Sequence, residues 1–97
     1  LNEVMRFGKK YTKFPMEKQQ ETKHRIQELA KSISYEELTP FFGTALKKTG
    51  TRIVTMITLG VLIKNNQEIT PEIKAFVGKA LEDKNDLLVA EASKINY

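Results

Sequence analysis

No cysteine occurs in the 97 residues, which excludes disulfide frameworks, thiolate nucleophiles and Cys-based zinc sites together, and suits a reducing compartment. Histidine is nearly absent as well. The single His24 lies between Lys23 and Arg25, so neither a His-His metal pair nor a Ser-His nucleophile arrangement can form within its helix, and it reads as a surface residue. Long hydrophobic runs are missing. The longest, Ile53 to Ile63, contains Thr55, Thr58 and Gly60 and stops at Lys64, short of the ~20 apolar residues that a membrane-spanning helix needs. The opening residues do not carry the apolar stretch of a secretory signal. No GxxxxGK[ST] or GxGxxG phosphate loop appears, and Asp83-Lys84-Asn85-Asp86 lacks the glycine and distal glutamate of a calcium loop. Low-complexity segments and long linkers are also lacking, since the longest plausible loop, Asn65 to Ile69, is only about five residues. Together these absences predict a non-enzymatic chain with no cofactor, no metal, no small-molecule substrate and no membrane partner, in an intracellular setting, cytoplasmic or nuclear. Opening on Leu1 rather than Met, it reads as a processed product or a piece of a longer protein.

What is present is charge, unevenly placed. The net charge is +4, from 16 basic and 12 acidic residues. Residues 1 to 25 hold Arg6, Lys9, Lys10, Lys13, Lys18, Lys23 and Arg25 against Glu3, Glu17 and Glu21, and the remainder of the chain is balanced. Thirteen of the basic residues are Lys and three are Arg. Lysine is a flexible point charge without the planar fork that reads a base edge, so sequence-specific base recognition is disfavoured.

The helix signals are strong. From Met16 to Ile33 helix formers dominate, Glu21 and Arg25 pair at i,i+4, and Ile26, Leu29, Ala30 and Ile33 trace one face, while the first turns are polar nearly all round. Ser34-Tyr35-Glu36-Glu37 has the form of a capping box. Thr39-Pro40 offers a second start, Leu38, Phe41, Phe42, Ala45 and Leu46 fall on a helical face, and Gly50 is expected to close that element. Thr51 to Lys64 is rich in β-branched residues, which favour strand, but its length between Gly50 and Asn65-Asn66 favours a buried central helix over a hairpin turning near Gly60. Thr70-Pro71-Glu72 starts the last helical stretch, in which Ile73, Val77, Ala80, Leu81, Leu88, Ala92 and Ile95 keep the period and Asn85-Asp86 can break it in two. A weak internal echo of Phe-x-Gly-x-Ala-Leu, Phe41-Phe42-Gly43-Thr44-Ala45-Leu46 after Thr39-Pro40 and Phe76-Val77-Gly78-Lys79-Ala80-Leu81 after Thr70-Pro71, places Gly43 and Gly78 where another helix could approach closely. The expected fold is all-α: a compact bundle of four or five helices in a single domain over residues 16–97, preceded by a basic, aromatic N-terminal arm over residues 1–15. Leu1 to Phe14 gives at most one turn of helix, stopped at Gly8, then extended chain. Its deletion is expected to leave the domain folded.

Two features are candidates for function. In the arm, Arg6, Phe7, Lys9, Lys10, Tyr11, Lys13 and Phe14 interleave cations with aromatics, as in surfaces that follow a phosphate backbone and stack on bases; Lys18, Lys23 and Arg25 extend the positive field along the first long helix. The bland alternative is that Phe7, Tyr11 and Phe14 pin the terminus to the core while the lysines stay in water. A helix-turn-helix around Leu46, Gly50 and Met56 is disfavoured, because its second helix is too apolar to face a groove. The leading expectation is a small helical binding module whose partner is another protein or a second copy of itself. Its alternative is non-specific contact with the phosphate backbone of DNA or RNA through the arm and first helix.

Overall fold

The computed structural model describes residues 1–42 and 48–95. Among them the chain forms six α-helices: α1 (Asn2–Gly8), α2 (Met16–Ala30), α3 (Tyr35–Leu38), α4 (Thr49–Lys64), α5 (Pro71–Leu81) and α6 (Asp86–Ser93), with 3-10 turns at Tyr11–Lys13 and Thr39–Phe42. The fold is all-helical and no strand occurs among the described residues. The count exceeds the expected four or five because the N-terminal segment supplies a helix of its own. Gly43, Thr44, Ala45 and Leu46 lie outside the described residues, and with them the glycine of one half of the internal echo; Gly78 is half-buried on α5.

The central segment is helical as its length predicts. Ile53, Val54, Thr55, Met56, Ile57, Thr58 and Leu59 are all buried, which a helix achieves only when wrapped on every side. α1, α2, α3 and α6 supply that wrapping. The β-branched threonines are accommodated because their hydroxyls donate back along the helix, Thr55 to the Thr51 carbonyl at 2.7 Å and Thr58 to the Val54 carbonyl at 2.8 Å. No buried hydroxyl there is left unsatisfied. Around this axis the fully buried Ile26, Leu38, Ile73 and Leu88 each contribute about 1.5–3 kcal/mol of apolar burial.

Gly50 does not close the preceding element. It sits in the first turn of α4, where the end of α1 crosses backbone against backbone: a Cβ on Gly50 would lie 2.0 Å from the Gly8 carbonyl oxygen, and one on Gly8 would lie 2.8 Å from the Thr51 Cα. Only paired glycines permit that approach. The N-terminal segment is correspondingly a structural element rather than extended chain. Val4 is fully buried and Tyr11 is 4 % exposed, both within the main core. Gln19 donates to the Tyr11 carbonyl at 3.0 Å and the Tyr11 hydroxyl donates to the Gln19 carbonyl at 3.3 Å, clasping the first 3-10 turn to α2.

The remaining joints follow the local signals. Ser34 and Glu37 complete the capping box of α3, and Thr70 accepts from the Ile73 amide at the start of α5. The Tyr35 hydroxyl shares a 2.5 Å hydrogen bond with Thr70 Oγ1, and Phe42 stacks on Phe76 with ring centroids 5.0 Å apart, tying α3 and the second 3-10 turn to α5. The last helical stretch breaks where Asn85 caps α6 by accepting from the Leu88 amide. Asp83 braces that break, accepting from Arg52 of α4 at 2.6 Å and from the Asn85 amide at 2.8 Å.

Candidate functional site

The folded N-terminal segment sorts the interleaved residues by face. Arg6, Lys9, Lys10 and Lys13 are exposed, whereas Tyr11 is buried and Phe7 and Phe14 are half-buried, Phe7 against the core. The alternation is therefore the amphipathic pattern of a helix running into a 3-10 turn. Stacking on bases requires exposed rings, and Tyr11 offers none. Phe14 instead carries the Lys18 ammonium over its ring, 4.9 Å from the centroid. Arg25 faces Glu3 at 3.6 Å in an exposed pair, of a kind that contributes little to stability. Among the described residues Arg6, Lys9, Lys10 and Lys13 make no ion pair.

Lys23 separates from this group. It turns toward the C-terminal end of α4, where α2, α4 and α6 enclose a cleft of about 470 Å³, within the size range of ligand-binding clefts. Met56, Ile57, Gly60 and Val61 form its floor, and Lys23, Gln27, Lys64, Glu91 and Lys94 stand among its other lining residues with Ile63 and Ile95. Gly60 matters to its shape, since a Cβ there would meet nothing within 4 Å. The helix that is wrapped on every side at its middle emerges here: Gly60, Val61, Leu62 and Ile63 are all only half-buried.

The polar side of the cleft is a carboxylate shared by two ammonium groups. Glu91 accepts from Lys23 at 2.6 Å and from Lys94 at 3.4 Å. Burial is the largest single influence on the Lys23 ammonium and works against it, but the hydrogen bond and charge of Glu91, joined by the neighbouring Lys94 and Tyr11, together outweigh it and raise its pKa. Lys94 moves the other way, lowered by the Lys23 ammonium beside it and by burial, with Glu91 offsetting only part. Tyr11 lies close enough that burial, and then the Glu91 charge, push its hydroxyl pKa up. With Lys64 the lining carries three cations against one carboxylate. Lys64 has no ion pair among the described residues.

Such an arrangement can hold an anion beside an apolar surface. Among the described residues no group of three or more His, Cys, Asp or Glu side chains is placed to hold a metal ion. No helix among the described residues is long and apolar enough to cross a membrane. Of the cleft residues, sequence reasoning named Lys23 alone as a candidate for binding, as part of the basic field. Lys64, Glu91 and Lys94 carried no local motif; the usable hint was an apolar run too hydrophobic for a helix whose last turn meets solvent. Compared with known proteins, the chain matches no family model, no curated protein and no solved structure.

Proposed function

We propose that this chain is a non-catalytic protein-interaction module that receives a segment of another protein in the cleft over the last turn of α4. One observation carries the reading: the last turn of a largely apolar helix leaves Gly60, Val61 and Ile63 half-exposed in the lining of a formed cleft, and an apolar cleft with a few convergent polar groups is where a ligand or partner segment is received. The +4 charge opposes pairing of like copies and favours a different partner. Panning a random-peptide display library against the chain tests it. Selected peptides should shift the amide resonances of residues 60–64 and of α6, and Val61→Lys should abolish their binding while leaving the melting temperature within a few degrees. Peptides that shift other faces alone, or a concentration-dependent dimer whose interface is the cleft, would replace this reading.

A second reading rests on the outward cations Arg6, Lys9, Lys10 and Lys13, exposed and without ion pairs among the described residues. They suit non-specific contact with a phosphate backbone. If all four engage phosphates, log affinity for a random single-stranded oligonucleotide should fall against log salt with a slope of about −3. Joint reversal of Lys9, Lys10 and Lys13 to Glu should eliminate the binding. A salt-independent weak association would remove nucleic acid from consideration.

A further inference from the structure

The cleft lining is chemically lopsided in a way that specifies its occupant. Glu91 is 15 % exposed and already engaged by Lys23, which is itself 25 % exposed and held at 2.6 Å. That pair is internal to the fold. Lys94 is different: it reaches Glu91 only at 3.4 Å and is 61 % exposed, so it can turn to a new acceptor at little cost. Lys64, exposed at the end of α4, has no carboxylate to satisfy it among the described residues. Two exposed ammonium groups thus flank an apolar floor of Met56, Ile57 and Val61. A cationic partner would meet repulsion there, and a purely apolar one would gain nothing from the two ammonium groups.

Resting on the docking reading above, we infer that the cleft selects an acidic amphipathic helix, whose apolar face covers Val61 and the floor while an Asp or Glu about one turn away is received by Lys64 and Lys94. A helix suits the shape better than a single acyl chain. The lining positions Met56, Ile57, Gly60, Val61 and Lys64 recur at helical spacing along one face of α4, about two turns long, whereas a small amphiphile needs a site that buries most of its surface.

The test pans the same peptide library in parallel on the parent chain and on the Lys64→Glu/Lys94→Glu variant. Peptides that shift the cleft amides of the parent should be enriched in Asp and Glu among apolar residues. Those selected on the variant should exchange them for Lys and Arg. A representative acidic peptide should lose about tenfold in affinity for each single reversal, and weaken as salt is raised. Thermal melts show whether each variant is folded; Lys64→Gln/Lys94→Gln, which adds no new charge, should lose the acidic preference if the reversal variant does not fold. Cleft-directed peptides with no acidic bias would overturn this inference and leave the docking reading standing. A parent that selects no cleft-directed peptide overturns both, and one-to-one binding of dodecanoate in the cleft under those conditions would assign it to a lipid anion instead.

Discussion

At the scale of single residues, two glycines on one helix have opposite reasons to be there. Alanine at either position gains about 1 kcal/mol of helix propensity. At Gly50 the new methyl would lie 2.0 Å from the Gly8 carbonyl oxygen, a backbone atom that no rotamer change can remove, so α1 must shift and the overpacking cost of about 1–3 kcal/mol exceeds the gain. At Gly60 the methyl meets nothing within 4 Å. Gly50→Ala should therefore lower the melting temperature and Gly60→Ala should raise it, the latter by up to about 4–8 °C for a domain of this size, with helix content followed by circular dichroism. Equal shifts of the same sign would show that the α1–α4 crossing is not close. The sequence made Gly50 look like a helix stop because what it accommodates, Gly8, lies far back in the chain. Glycine before a new helix is read by its neighbours, and those neighbours here include no sign of the crossing. The same holds for Thr55 and Thr58, whose strand propensity yields to hydroxyl bonds along the helix that local statistics do not count.

At the scale of elements, the N-terminal segment shows how charge can mask periodicity. Cations dominate its composition, yet Val4, Phe7, Tyr11 and Phe14 recur at helical intervals, and that spacing was the available signal. Read as an arm, the segment is dispensable; placed in the structure, it puts Val4 and Tyr11 into the core and covers one side of α4. Deletion of residues 1–14 is thus expected to abolish the cooperative thermal transition, the reverse of what its composition implied. Tyr11→Ala should remove about 3 kcal/mol or more, by analogy with other buried aromatic truncations. Reversing Lys9, Lys10 and Lys13 to Glu should change stability by about 0.5 kcal/mol or less per site, since all three are exposed. A deletion variant that melts cooperatively near the parent temperature would show that the segment is peripheral after all. The capped elements, by contrast, were legible in advance. The Ser34–Glu37 box, the Thr70-Pro71 start and the Asn85 break each depend on side chains within three residues of the amide they satisfy, so the physics is local and the sequence displays it.

At the scale of the whole molecule, the cleft was illegible for the opposite reason: its ion pair joins Lys23 to Glu91 across 68 positions, and no local pattern announces the meeting of α2, α4 and α6. Two other carboxylates leave a measurable signature in the pH dependence of folding. Asp83 has a lowered pKa, chiefly because the Asn85 amide donates to it, with Arg52 adding attraction. Glu37 is lowered by the amide and hydroxyl of Ser34. A carboxylate whose folded pKa lies below its unfolded value contributes stability that is complete above the unfolded value, about 4, and is lost as the pH falls through the folded one. Stability should accordingly hold from pH 7 down to about 5 and decline below about 4; neutralising the 12 acidic residues also leaves 16 cations to repel one another. Asp83 separates these contributions, because it ties α4 to the junction of α5 and α6. Asp83→Asn should cost about 1.5–3 kcal/mol at pH 7, where a charged hydrogen bond to the partly buried Arg52 is lost. The same variant should fall less than the parent between pH 7 and pH 3, since the group that titrates is gone. Urea unfolding at the two pH values measures both quantities, and parallel losses in parent and variant would assign the acid sensitivity to general charge repulsion rather than to the Arg52–Asp83 joint.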